Sequence, residues 1–337
     1  MKRHSLSILR WAMSLLGFMT VSAAMAANTV VAVEKVTTDV TISEDVDYHV
    51  TDAQPFSTTG SINITATDHA VVLFDNVKPS KLLSYLGFVR INGEVALTNT
   101  NCQVKIYSQG SIILPYSADI KPLTVYSEKN FGGTAVNDFG LENSGGFMNT
   151  LTEAKLNNKI RSFKLKRGYM VTFATKSGGY GYNRCFVADK EDLEMAELPG
   201  ILDRSISSYR VFKWNDTSKK GLANDTRSAP NSTLNTTWCY AFGLGENTGI
   251  DRECVAHHIY EGWPALSDCG RNNYTTSAPT MKTNNEPGNS ADDHPQSVAT
   301  VLANWEKHMA TGMRLCSPSS HDGSLGWLRV SRGAWTP

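Results

Sequence analysis

The sequence has no excess of either charge: Lys plus Arg and Asp plus Glu number 32 each. There is no basic stripe and no acidic tail. That argues against a nucleic-acid partner and against a charge-extended, disordered chain. Beyond residue 27 no apolar run is long enough to cross a bilayer as a helix. No Cys-x-x-Cys occurs among the six cysteines, Cys102, Cys185, Cys239, Cys254, Cys269 and Cys316, and their spacing fits no zinc pattern.

What is present begins with a leader. Lys2, Arg3 and Arg10 supply a positive start, Trp11 to Val21 is mostly apolar, and Ala24-Met25-Ala26 is a small-x-small cleavage site. About a dozen apolar residues are too few for a membrane anchor. Residues 1–26 are therefore expected to direct export and be removed, leaving a secreted or periplasmic protein with no membrane partner. No cysteine follows the cleavage site, which argues against a lipid anchor. Export permits disulfides, and Cys254 with Cys269 can close a short loop; otherwise the cysteines serve as small buried hydrophobes. The 337 residues are 41% apolar, enough for two or three cored domains.

Residues 28–120 read as an all-β domain. Runs such as "SINITA", "AVVLFDNV" and "CQVKIYSQGSIILPY" alternate apolar and polar between Gly, Pro, Asn and Asp. A sandwich and a short solenoid both satisfy this pattern. Residues 121–213 hold an internal repeat. "TVYSEKNFGG" and "VTFATKSGGYGYNRCF" open its two units, and "NNKIRSFKL" (157–165) and "DRSISSYRVF" (203–212) close them. This doubled pattern resembles the βγ-crystallin module, a pair of four-stranded Greek keys. In that family the closing strings help bind calcium, a hard cation that needs oxygen donors. The resemblance makes Asn157, Asn158, Asp203 and Ser207 calcium candidates. Arg161 stands where the first string needs a hydroxyl, and Arg204 where the second needs Asn or Asp. An arginine offers no acceptor, so a structural module with weak or no calcium binding is expected, and no other cofactor. Residues 214–236, rich in Gly, Ser, Asn and Thr, read as a linker.

From 237 to 337 strands alternate with a helix. "TTWCYAFG", "RECVAHHIYEGWPAL", "APTMKTNNEP" and "MRLCSPS" contain the strand candidates. "SVATVLANWEKHMATG" carries Val298, Val301, Leu302, Trp305 and Met309 on one helical face, with Gly312 as a stop. Such a βα pattern places functional residues at strand C-terminal ends. Glu286, held between Asn285 and Pro287, falls just after a strand. The ordered set "WCYAFG", "ECVAHHIYEGWP", "NNEPGN" and "NWEKHMATGMRLCSPS" resembles the Asl1-like glycosyl hydrolase catalytic core, glycoside hydrolase family 128. That resemblance implies a (β/α)8 TIM barrel, retaining hydrolysis of β-1,3-glucan and an acid/base role for Glu286 with Asn285 beside it. Tyr240, Trp263 and His257 are candidates for substrate contact, whereas Trp238 reads as core. Asp292, Asp293 and His294 read as a solvated loop.

A retaining site needs a second carboxylate, and in the family it lies on a later strand. The acidic residues after Glu286 are Asp292, Asp293, Glu306 and Asp322, none of them on such a strand. A barrel of about 250 residues does not fit into 237–337, so a truncated barrel is expected. Its open edges and apolar faces imply instability unless another chain completes it. Two functions follow: a secreted retaining β-glucanase lacking its nucleophile, or a non-catalytic polysaccharide-binding or structural protein with crystallin-like calcium binding as a variant. The expected partner in both is a polysaccharide.

Overall fold

The computed structural model describes residues 28–44, 46–65, 71–141, 144–223, 234, 236–240, 250–257, 274, 276–283 and 297–316. The expected leader lies outside these residues.

The first module contains β1 (Thr29–Val33), β2 (Val40–Ile42), β3 (Val46–Val50), β4 (Ile62–Ile64), β5 (Val71–Phe74), β6 (Val89–Ile91), β7 (Glu94–Val95), β8 (Cys102–Ser108) and β9 (Gly110–Pro115). β1, β3 and β5 form one parallel ladder, and β2, β4 and β6 form a second. Successive strands thus alternate between two sheets, which is the winding of a short solenoid and not of an antiparallel sandwich. Ile42, Ile62, Ile64, Val50, Val72, Phe74 and Val89 meet in its core. The β8–β9 hairpin closes one end by pairing β9 antiparallel to β5. The module is not purely β: α1 (Pro79–Leu82) runs into a 3-10 turn at Leu83–Phe88. Pro79 presets the first turn, and Leu82 and Leu86 fall on one face and are buried.

The second module contains β10 (Leu123–Tyr126), β11 (Ala135–Val136), β12 (Asn149–Thr150), β13 (Ser162–Leu165), β14 (Tyr169–Ala174), β15 (Asn183–Ala188), β16 (Leu193–Met195) and β17 (Ser208–Lys213). One sheet runs β11-β10-β13-β16 and the other β12-β17-β14-β15. Each repeat therefore lends its third strand to the other's sheet, giving two interlocked Greek keys around one core. Phe163, Phe173 and Phe186 pack there with ring centroids 5.0–6.1 Å apart. The first and second modules are joined by Arg167, whose guanidinium donates to both Asp47 oxygens at 2.9 and 3.0 Å.

The remaining strands are β18 (Asp216–Thr217), β19 (Gly221–Ala223), β20 (Trp238–Tyr240), β21 (Glu253–Cys254), β22 (Ala256–His257), β23 (Thr280–Lys282) and β24 (Arg314–Cys316). The stretch expected as a linker thus supplies two strands: β18 extends the solenoid sheet beside β8, and β19 pairs with β20. β19, β20 and β21 are parallel, as are β22, β23 and β24. Only Val255 separates β21 from β22, so the strands follow one another in chain order. α2 (Val298–Ala310) joins β23 to β24. Ser297 caps α2 by accepting the Thr300 N–H at 3.1 Å, and Gly312, at φ +74°, turns the chain away. Among the described residues these strands form two three-stranded parallel sheets, β19-β20-β21 and β22-β23-β24, which Val255 joins into one ribbon; no closed barrel is seen among them.

The ribbon is not left bare, in contrast to the expected half-barrel. Ala256, Tyr274, Ala278, Met281 and Met313 pack on Met170 and Phe212, which project from the outer face of the second Greek-key sheet. β14 is therefore buried on both faces. The end of α2 is tied to the same sheet. Arg210, 1% exposed, donates to the carbonyls of Thr311, Gly146 and Thr276, each at 2.8 Å. Asn183 Nδ2 donates to Met309 O at 2.7 Å, Met148 N to Ala310 O at 3.0 Å, and the Thr172 hydroxyl to Gly312 O. A Cβ at Gly179 would sit 2.4 Å from Ala310 O, so only glycine admits this approach. Burial pulls the Arg210 pKa down to about 10, which leaves it charged at neutral pH.

Replacing Arg210 by Ala strands three buried carbonyls. We expect Arg210→Ala to lower unfolding stability by about 3–5 kcal/mol in urea titrations. Limited proteolysis should then cut first within 274–316. Arg210→Lys should recover only part of the loss, because an ammonium lacks the planar fork.

Candidate functional site

Parallel pairing collects the carboxyl ends of the ribbon strands on one edge. Tyr240, His257, Lys282 and Cys316 are the last residues of β20, β22, β23 and β24. Lys282 pairs in register with both His257 and Cys316. Its Nζ stands 4.2 Å above the Tyr240 ring. The buried Thr283 hydroxyl donates to Cys316 O at 2.8 Å and fixes the exit of β23.

Two of the sequence candidates, Tyr240 and His257, thus share this edge. Asn285 and Glu286 follow directly from β23, but they lie outside the described residues, as do Trp263, Asp292, Asp293 and His294. For His257 the strand position is described and the side chain is not. Trp238, expected in the core, is half-buried, its ring lying against Gly221, where a Cβ would come within 2.1 Å.

The two closing strings of the Greek keys meet crosswise. Ser207 Oγ lies 3.0 Å from Asn158 Oδ1. Opposite, Arg161 donates to Asp203 at 3.0 and 3.2 Å and to Glu128 at 3.0 Å. Arg161 holds the Asp203 carboxyl below the usual carboxylate range. A guanidinium therefore stands where Asp203 would face a cation, and Asp203 does not fit a calcium ligand. Asn158 and Ser207 offer two neutral oxygens, whereas calcium takes about 6–8. Asn157 Oδ1 is buried without a hydrogen-bond partner, and no cluster of three or more His, Cys, Asp or Glu occurs among the described residues. Glu128 was not legible as Arg161's second partner. The only signal was an arginine at a hydroxyl position, which demands an anion nearby.

A second feature, a cleft of about 540 Å³ between the three parts, had no sequence signal at all. Gln103, Lys105, Lys213, Asn215, Arg252 and Glu253 line it. The Lys105 amine donates to Gly168 O and lies 4.8 Å from the Tyr169 ring centroid. Burial, reinforced by Lys213, lowers its pKa to about 7. The Asn215 amide donates to Glu253.

Comparison with known proteins bears on the Greek keys alone. No protein-family model matches the chain, so the resemblance to glycoside hydrolase family 128 has no support there. No curated protein matches either. Among solved structures, the chain is similar to a βγ-crystallin domain from Flavobacterium johnsoniae, 20% identical, covering 27% of this chain and 94% of that one with a TM-score of 0.21. It is also similar to the N-terminal domain of protein S, 27% identical over 27% of this chain and 94% of that one, TM-score 0.21. A βγ-crystallin from an archaeon is 26% identical over 26% of this chain and 93% of that one, TM-score 0.20. The crossed-over strand order of residues 121–213 is the independent ground for describing that module as a paired Greek key.

Two outcomes are expected. Millimolar calcium should shift the thermal midpoint by less than about 2 °C, since a ligand stabilises only when its concentration exceeds Kd; a larger rise in scanning calorimetry would contradict the Arg161 geometry. For Lys105, the unfolded amine keeps its proton up to about 10.5 and the folded one only to about 7. The unfolded state then binds more protons across that window, so this group's contribution to stability rises with pH from about 7 to about 10.5. Below about 7 the full cost of burying the charge remains. Lys105→Met should flatten that rise in a midpoint-versus-pH series.

Proposed function

We propose that this is an exported, polysaccharide-directed protein whose C-terminal ribbon carries the acid end of a retaining glycosidase site for β-glucan. Glu286 is the acid/base and Asn285 its neighbour toward the substrate. What supports the reading is the shared carboxyl edge: Tyr240, His257 and the strand leading into Glu286 converge there, with Lys282 Nζ 4.2 Å from the Tyr240 ring centroid. In the proposed chemistry a partner carboxylate from outside the described strand ends bonds to the anomeric carbon as the Glu286 carboxyl gives its proton to the leaving glycosidic oxygen; the Glu286 carboxylate then takes a proton from the water that displaces that partner. Tyr240 supplies an aromatic face for a sugar ring.

The second reading, glycan binding without cleavage, is favoured by one observation. Retaining chemistry needs a partner carboxylate about 5–5.5 Å from the first, and the described strand-end residues Tyr240, His257, Lys282 and Cys316 include none.

Calorimetric titration with laminarin-type β-1,3-glucan, alongside a reducing-end assay, tests both readings. Binding is expected, weakened about tenfold by Tyr240→Ala, which corresponds to about 1.4 kcal/mol. Reducing ends that appear with the wild type and vanish with Glu286→Gln uphold hydrolysis. Binding without release upholds the second reading. Release that survives Glu286→Gln removes the role of Glu286, and absence of binding removes both readings.

A further inference from the structure

Cys239 and Cys254 face each other across neighbouring parallel strands. They are directly paired in the β20–β21 register, their sulfurs are 3.4 Å apart, and both side chains are buried. Adjacent strands run about 4.7–4.9 Å apart, inside the Cα separation of about 4.4–6.8 Å that a disulfide spans. Rotation about the two Cα–Cβ bonds is the motion that shortens the 3.4 Å sulfur separation toward a bond. The other described cysteines have different surroundings. Cys102 is buried in the solenoid, its thiol pushed up to about 11 by burial. Cys185 sits 3.0 Å from the Thr172 hydroxyl, and Cys316 is exposed at the carboxyl edge.

We propose that Cys239 and Cys254 form a disulfide when the protein folds under oxidising conditions. The two thiols give up two protons and two electrons to a disulfide oxidant. With oxidised glutathione the products are the protein disulfide and two glutathione thiols. Exchange proceeds through thiolate attack and a mixed disulfide, so the bond forms while β20 and β21 are still accessible. Burial of both sulfurs then shields it from reductants. The bond staples β20 to β21, one residue before Tyr240 and three before His257, and so ties the carboxyl edge covalently. It replaces the Cys254–Cys269 loop that sequence spacing suggests.

The test refolds the full chain in a glutathione redox buffer, blocks remaining thiols under denaturing conditions and identifies linked peptides by mass. The expected product is one peptide pair joining Cys239 to Cys254, lighter by the two thiol hydrogens and split by reductant. In Cys254→Ser, Cys239 should become alkylated while Cys102 is unchanged. Full alkylation of Cys239 and Cys254 in the oxidised wild type overturns the proposal, as does a Cys254–Cys269 link. This readout needs no glucan, so it stands or falls apart from the proposed function.

Discussion

Arg210 holds its guanidinium among backbone carbonyls from three separate stretches, at Gly146, Thr276 and Thr311. It is one of four donors, three from the second Greek-key sheet and one from Met148 just before β12, that meet the end of α2, where Met309, Ala310, Thr311 and Gly312 each offer a carbonyl. A helix end leaves such carbonyls without intrahelical partners, and a cation there also opposes the helix dipole. The C-terminal ribbon depends on this seam. Without it the ribbon would have to bury its apolar face against nothing, and the position of β23, and hence of the chain entering Asn285 and Glu286, would be undetermined.

The seam explains why the second Greek-key sheet is buried on both sides along β14 and β17. Along β14 and β17, Val171, Phe173, Tyr209 and Val211 face the module's own core. Met170 and Phe212 face the ribbon. A free-standing Greek key would put polar side chains on that outer face. Here the module is a wall for its neighbour as well as a domain. The crossed strings at its other end carry an Arg161–Asp203–Glu128 network where related strings would offer oxygens to a cation.

Much of this was legible in advance. The repeat in 121–213 marked two equivalent units because each needs the same strained hairpin: Asn130 and Gly133 in one, Gly178 and Gly181 in the other, all at positive φ. The strands containing Trp238, Cys254, Met281 and Leu315 and the helix from Val298 were legible from short apolar runs and from 3.6-residue periodicity. The two strands hidden in the supposed linker were not, because Asp216–Thr217 and Gly221–Ala223 carry no apolar pattern and exist only through pairing with β8 and β20. Tyr240 and His257 were legible as candidates, but not their alignment with Lys282, which register alone sets. Glu128 and Arg210 were illegible for a related reason: each acts on groups dozens of residues away.

The sequence by itself determined the local elements: the β-rich modules, the doubled unit and the amphipathic helix. Those follow from periodicity, turn residues and composition, which act within a few residues of one another. Tertiary structure alone decided that 28–120 winds as a solenoid, that the described C-terminal strands pair in parallel, and that they pack on a neighbouring module of the same chain. Those outcomes depend on which distant strands pair and on which buried donors meet which orphan carbonyls. Hydrogen-bond satisfaction in a buried interface forces such matches, and no local pattern encodes them.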